Sequence, residues 1–284
     1  MIIGANSYRW AQHYERQSPP SLVEQNVDEA LGYAAAGGIE TWEPCWDSLD
    51  KFDIYAKALP KHGLQMKSVY VPCNLMLPDN NPEIGRVIAL CLAAKELGCQ
   101  LAVTNPDPVH WNNTPKPDDL IRYQTASLET LGYELRLRGI DLGYHFHTSE
   151  LLDGAKELHH TMQHTTPDNV KLCLDSHWAY RGCGNSHLAL QDLVHMYGSR
   201  IVSLHIRQSQ NGIWTQTLCD GDINYQFLFD YLDARNWDGI SCIELAIEAG
   251  TPVTMDLGQA HQISRSWLES AWPKARKGQT DHQR

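Results

Sequence analysis

Asp141-Leu-Gly-Tyr-His-Phe-His147, with Glu150 three residues further on, is a short apolar run that ends in metal-type ligands. Three later runs end the same way: Leu172-Cys-Leu-Asp175, Ser203-Leu-His205 and Cys242-Ile-Glu244. From His145 to Asp175, from Asp175 to His205 and from His205 to Glu244 the intervals are 30, 30 and 39 residues. Each interval holds one strand, one helix and two loops. Carboxylates and imidazoles gathered at the carboxyl ends of parallel strands suit one divalent cation.

The same rhythm extends outward along the chain. Strands are predicted over Ile2–Asn6, Ile39–Pro44, Gln65–Pro72, Gln100–Pro106, Asp141–His147, Val170–His177, Arg200–Arg207 and Ile240–Ala246. Amphipathic patterns between them predict helices, among them Leu22–Ala36, Pro82–Leu97, Leu120–Arg138 and Leu188–Tyr197. Gly37-Gly38, Gly63, Gly98 and Gly139 fall just before strands, where a helix C-cap is expected. Eight strands alternating with helices predict an α/β chain closed into a (β/α)8 TIM barrel. The rival, an open doubly wound sheet, carries a Gly-rich phosphate loop after its first strand, and Asn6-Ser-Tyr-Arg-Trp10 is not one. The 284 residues suit one such barrel. The expected organisation is a catalytic barrel over residues 1–270 and a polar tail over 271–284.

Composition narrows the function. The formal net charge is −11, from 34 acidic and 23 basic residues, and no basic stripe is visible. A nucleic-acid partner is therefore not expected, and a small polar substrate is. No apolar run reaches the length of a membrane span. Met1-Ile-Ile-Gly-Ala-Asn6 lacks the basic start of a secretion signal, so a cytoplasmic location is expected. Eight cysteines without a CxxC pair, Cys73, Cys173 and Cys242 among them, read as buried reduced thiols.

Strand periodicity adds a register test. If His145, Asp175, His205 and Glu244 point inward at the barrel mouth, so do Gly143, Cys173, Ser203 and Cys242 two residues earlier. Barrel interiors are normally filled by bulky branched side chains. Four small residues beneath four polar ones leave room for a cation and a substrate.

The individual residues carry rival readings. Asp175, in Lys171-Leu-Cys-Leu-Asp-Ser-His-Trp178, is a ligand or a helix cap. His205 shares a strand face with Arg207, which favours a polar pocket. Glu244, between Ile243 and Leu245, needs a partner to stay charged. The fifth strand offers two donors, His145 in register and Glu150 in a loop able to fold back. With Glu150 the set is three carboxylates and one His, suited to Mn2+. With His145 it is two of each, which moves preference toward Zn2+, Co2+ or Fe2+. Candidate substrate contacts are Glu43, Asn105, His177, Trp178, Arg181 and Arg207. Glu43 has a helix cap as its plainer role, and Asn105 with Asp107 a turn. Asp222 is expected to cap a helix, and His159, His160 and His164 to be solvated on an outer helix.

Together these residues resemble the xylose-isomerase-like TIM barrel superfamily of sugar isomerases, epimerases and related dehydratases, from the first strand to about Leu268. Its fifth-strand Tyr-His-x-His with a following Glu is matched by Tyr144-His-Phe-His147 and Glu150. Its sixth-strand Asp is matched by Asp175 with Trp178, its seventh-strand His by His205, and its eighth-strand Glu by Glu244. A Gly-Asp-Ile-Asp-Tyr-like segment is matched by Gly221-Asp-Ile-Asn-Tyr225. The resemblance implies one divalent cation, Mn2+ first and Mg2+, Co2+ or Zn2+ otherwise, held by Glu150, Asp175, His205 and Glu244. Arg207-Gln208 departs from the family's Lys-Asp, and Trp178 from its commoner His. Both positions line the pocket and bear on the substrate.

The activity expected from this resemblance is metal-dependent isomerisation or epimerisation of a keto-sugar or polyol. A proton α to a carbonyl is removed through an enediolate, with Glu150 and Glu244 exchanging it and His145 or His147 sharing the work. Trp10, Trp42, Trp46, Trp111 and Trp178 are candidate walls for sugar faces. The alternatives are a dehydratase or lyase on a keto-sugar, inosose or 3-keto-glycoside, and a non-catalytic carbohydrate-binding barrel. An abasic-site endonuclease fits the −11 charge poorly. A homodimer is the base-rate oligomer.

Overall fold

Eight parallel strands form the barrel wall in a computed structural model that describes residues 1–78, 81–110 and 114–272. They are β1 (Ile2–Asn6), β2 (Thr41–Glu43), β3 (Ser68–Tyr70), β4 (Leu101–Thr104), β5 (Asp141–Tyr144), β6 (Lys171–Asp175), β7 (Ile201–Ile206) and β10 (Ile240–Ile243). Their order in the sheet is β2-β1-β10-β7-β6-β5-β4-β3. Parallel bridges Thr41↔Gln65 and Cys45↔Tyr70 join the two edge strands, which nearly closes the (β/α)8 barrel. The remaining strands, β8 (Ser209–Gln210) and β9 (Ile213–Trp214), form a small antiparallel hairpin.

Two compact units make up the chain. The first comprises Met1–Pro44, Asp50–Met66 and the chain from Leu204. It carries α1 (Tyr8–Glu15), α2 (Val27–Ala36), α3 (Lys51–His62), α9 (Gln226–Asp233) and α10 (Leu257–Ala271). Its far end is anchored by Trp272, which stacks on Phe229 at 4.6 Å and donates to Asp233 at 2.6 Å. The second comprises Cys45–Leu49 and Lys67–Ser203. It carries α4 (Pro82–Glu96), α5 (Asp118–Leu137), α6 (Leu152–Gln163), α7 (Ser176–Gly182) and α8 (His187–Tyr197).

Local chemistry explains the boundaries. Asn81 caps α4 by accepting from the Glu83 N–H, with Pro82 in the first turn where a missing N–H costs nothing. On α5 the buried positions Ile121, Gln124, Thr125, Leu128, Leu131 and Leu135 recur every three or four residues, as one face of a helix requires. Gly63 ends α3 at φ +67°, a left-handed conformation that suits glycine. Among the described residues no helix is long and apolar enough to cross a membrane.

Two expectations are corrected. The fifth strand stops at Tyr144 rather than His147, so His145 and His147 lie on the loop as it leaves the barrel wall. Asp222 does not cap a helix. It accepts from Ser209 Oγ and from the Asn211 and Gly212 N–H groups, closing the β8–β9 turn. Asn211 and Gly212 both have positive φ, and the bare amides of so tight a turn draw the nearest carboxylate. Asn224 accepts from the Gln226 N–H at the start of α9 instead. Trp111 and residues 273–284, which hold most of the predicted tail, lie outside the described residues.

Candidate metal centre

His205 ends β7 on its inward face, between two carboxylates of the first unit. Its Nε2 is 2.7 Å from Glu43 Oε1, and its Nδ1 is 2.9 Å from Glu244 Oε2. Asn6 donates to the same Glu43 oxygen at 2.9 Å. Arg207, two residues on, pairs with Glu244 Oε1 and lies 4.5 Å over the Trp214 ring. Tyr225 donates to the Arg207 carbonyl. All of these charged groups are buried, so each depends on its partners for stability. Glu43, His205 and Cys242 offer metal-type donors within 4.8 Å of one another. Glu43 therefore braces the histidine.

In the second unit His145 Nε2 lies 3.7 Å from Asp175 Oδ2. Asp175 Oδ1 accepts from the His177 and Trp178 N–H groups at 3.0 and 2.8 Å and so caps α7. The cap uses one oxygen and leaves the other toward His145. Rings crowd this end of the barrel: His147 is 4.8 Å from His145 and 5.3 Å from Trp178, and the Arg181 guanidinium lies 5.9 Å over Trp178. His177 is buried in the first turn of α7.

Glu150 occupies a single 3-10 turn, Ser149–Leu151. Its Oε2 accepts from the His147 N–H at 2.7 Å, and its Oε1 from Ser149 Oγ at 2.9 Å and Asn105 Nδ2 at 3.5 Å. Burial pushes this carboxyl up, but Lys116, His147 and these hydrogen bonds outweigh it and hold the pKa below its ordinary value. Glu150 is accordingly a buried carboxylate that stays ionised at neutral pH.

Sequence reasoning missed Lys116. It is buried and donates to Glu157 Oε1 at 2.8 Å, Gln124 Oε1 at 2.7 Å and the Pro106 carbonyl at 3.3 Å. It stands between Pro115 and Pro117, and nothing local marks its partner 41 residues away on α6. Trp10 and Trp42 are fully buried and packed ring against ring at 4.6 Å, so they are core rather than sugar-facing walls. Trp46 is equally buried and donates to the Leu90 carbonyl. His159 is not simply solvated, since its Nδ1 lies 2.7 Å from Tyr197 Oη.

His145, Asp175, His205 and Glu244 each offer one ligand atom, all within 4.8 Å of one another. Donors on opposite sides of a cation at about 2.0–2.6 Å stand roughly 4–5 Å apart, so this set fits one divalent ion. Glu150 is not in it. Beneath these donors Cys173, Ser203 and Cys242 are fully buried, and a Cβ on Gly143 would already touch Leu101 and Cys173 at 3.4 and 3.5 Å.

A family model for the xylose isomerase-like TIM barrel matches residues 31–271, and the chain belongs to that family. An inosose dehydratase of Mesomycoplasma hyopneumoniae is 24% identical over 248 residues, which cover 77% of this chain and 81% of the relative. An L-ribulose 3-epimerase structure superposes with a TM-score of 0.73 at 15% identity, covering 100% of this chain and 99% of that one. A xylose isomerase-like TIM barrel protein from Mycobacterium smegmatis in complex with magnesium gives 0.69 at 14% identity, covering 96% and 97%. At these identities the structural likeness carries the fold.

Proposed function

We propose that the chain is a divalent-metal-dependent isomerase or epimerase that acts on a keto-sugar or polyol by proton abstraction α to a carbonyl. The observation that carries this reading is the buried set of two carboxylates and two imidazoles with ligand atoms within 4.8 Å of one another. His145, Asp175, His205 and Glu244 would hold the cation. With two imidazoles the set accepts Zn2+ or Co2+ as readily as Mn2+ or Mg2+. When bound, the ion supplies the positive charge that polarises a carbonyl and an adjacent hydroxyl.

The remaining steps belong to the chain. Glu150, kept ionised by Lys116 and by the His147 N–H, is the acceptor for the α proton. It gives up that proton from a pocket where water competes poorly, because only 1% of its surface is exposed. Glu244, paired with Arg207, is the second carboxylate able to return a proton, with His147 beside the first. Asn105, His177, Trp178, Arg181 and Arg207 are the substrate contacts in this reading, and Glu43 orients His205. Eight free cysteines, five of them buried, accord with a reducing, cytoplasmic setting. A homodimer accompanies the proposal and is tested by light scattering.

A second reading, dehydration of an inosose-type ketone, is favoured by the name of the 24% identical relative. It begins with the same proton abstraction and continues by expelling a β-hydroxyl. One experiment covers both. Purified protein is analysed for bound metal, then incubated in D2O with Mn2+ and a panel of ketohexoses, pentuloses, inososes and 3-keto-glycosides, and followed by NMR. Deuterium at the carbon next to the carbonyl, with a rearranged or epimeric product, supports the first reading. An unsaturated or deoxygenated product supports the second. Absence of bound metal together with no turnover on any candidate would point to a carbohydrate-binding barrel.

A further inference from the structure

Arg9 stands on the first turn of α1, only 3% exposed. Its Nη1 reaches no hydrogen-bond acceptor among the described residues. A buried guanidinium has five donors and no acceptor, and it is normally met by a carboxylate or a group of carbonyls. Burial, and after it the charge of another cation, Arg16, push the Arg9 pKa down to about 10. Glu29 does not supply the missing partner, since it accepts from Tyr14 Oη at 3.1 Å and acts on His13.

Three further buried polar atoms of the first unit have no partner among the described residues: Trp10 Nε1, on the residue next to Arg9, Trp42 Nε1 and His261 Nε2. Trp10 joins them into one cluster, 4.6 Å from the Trp42 ring and stacked on His261 at 4.4 Å. His261 feels the Arg9 charge as well. The guanidinium and both indole N–H groups can only donate. His261 Nδ1 lies 2.7 Å from the Leu257 carbonyl, so in the neutral ring the proton sits there and Nε2 is an acceptor. A cluster with an excess of buried donors, one cation and one acceptor matches a small oxyanion that itself carries a proton.

We propose that α1, β2 and α10 enclose a binding site for a small oxyanion of the phosphate type, with Arg9 as its principal ligand. The site is separate from the metal centre, because Trp42 and Glu43 are neighbours on β2 and point to opposite faces of the strand. It does not depend on the proposed reaction.

The test is isothermal calorimetry and thermal unfolding of the intact chain with inorganic phosphate, at an ionic strength held constant with chloride. Wild-type protein should bind one phosphate and unfold at a higher temperature as phosphate is added. Arg9→Met should weaken that binding by about ten- to a hundred-fold, as loss of charge-assisted hydrogen bonds requires. In chloride alone Arg9→Met should be no less stable than wild type, because it removes a buried cation whose Nη1 has no acceptor among the described residues. A wild type indifferent to phosphate, or undiminished binding in Arg9→Met, would overturn the proposal. If that variant does not fold, Arg9→Lys, which keeps the charge without the fork, should still bind more weakly than wild type. A sugar phosphate that displaces the ion with the same Arg9 dependence identifies an ester as the source. Failure to displace it identifies the free ion.

Discussion

Asp175 divides two tasks between two oxygens. Oδ1 takes the His177 and Trp178 N–H groups, and Oδ2 faces His145. Ligand and helix cap read as rivals in the sequence, yet a carboxylate at the junction of a strand and a helix serves both. Asp175→Asn should keep most of the cap and lose bound cation. Asp175→Ala should lose the cation and also about 1 kcal/mol of stability, the usual worth of a cap. Metal content and denaturant unfolding measured side by side separate the two effects. The fifth-strand donor is tested in the same way. His145→Asn should lower metal content. Glu150→Gln should keep the metal and slow turnover by about 10²- to 10⁴-fold, the range for a lost general base. The opposite pattern would make Glu150 the ligand and His145 its helper.

At the level of elements, packing decides where propensity does not. Gly132 lies in the middle of α5, where alanine normally improves a helix by about 1 kcal/mol. A Cβ there would collide with the backbone carbonyl of Asn169, which cannot swing aside as a side chain would. Gly132→Ala should therefore destabilise the protein by about 1–3 kcal/mol, the usual cost of overpacking. Gly85 in α4 is the internal control, exposed and with nothing within 4 Å of its would-be Cβ. Gly85→Ala should stabilise by up to about 1 kcal/mol. Urea midpoints of the two variants, moving in opposite directions, are the readout. A fall in both would mean that neither helix tolerates a side chain at its glycine.

For the whole molecule, His261 sets an acid limit. Burial, with Arg9 against it and the Leu257 carbonyl for it, pushes its pKa down from 6.5 to about 4. The unfolded chain therefore takes up a proton that the folded chain refuses. The stability tied to the neutral ring is full above about pH 6.5 and is lost as pH falls toward 4. A shift of this size corresponds to roughly 3 kcal/mol. His261→Phe should flatten the stability profile between pH 6 and 4.5, whatever it does to the absolute value. An unchanged slope in that window would remove His261 as its cause.

What repeats locally is legible along the chain. Strand runs, glycine caps and ligands at strand ends recur every thirty to forty residues, because an α/β unit must bury one strand and one helix face in each repeat. That pattern carried the barrel, the family and the positions of Asp175, His205 and Glu244. What depends on distant partners is fixed only when the chain folds. Glu43 meets His205 across 162 residues, and Lys116 meets Glu157 across 41. The loop after β5 brings His145, and not Glu150, among the four donors. Asp222 turns to a hairpin, and Arg9 is buried with no acceptor for its Nη1 among the described residues. Spacing along a chain sets which side chains reach the end of a strand. Which of them meet is set by the order of strands around the barrel and the fold-back of its loops, and neither is written in any single segment.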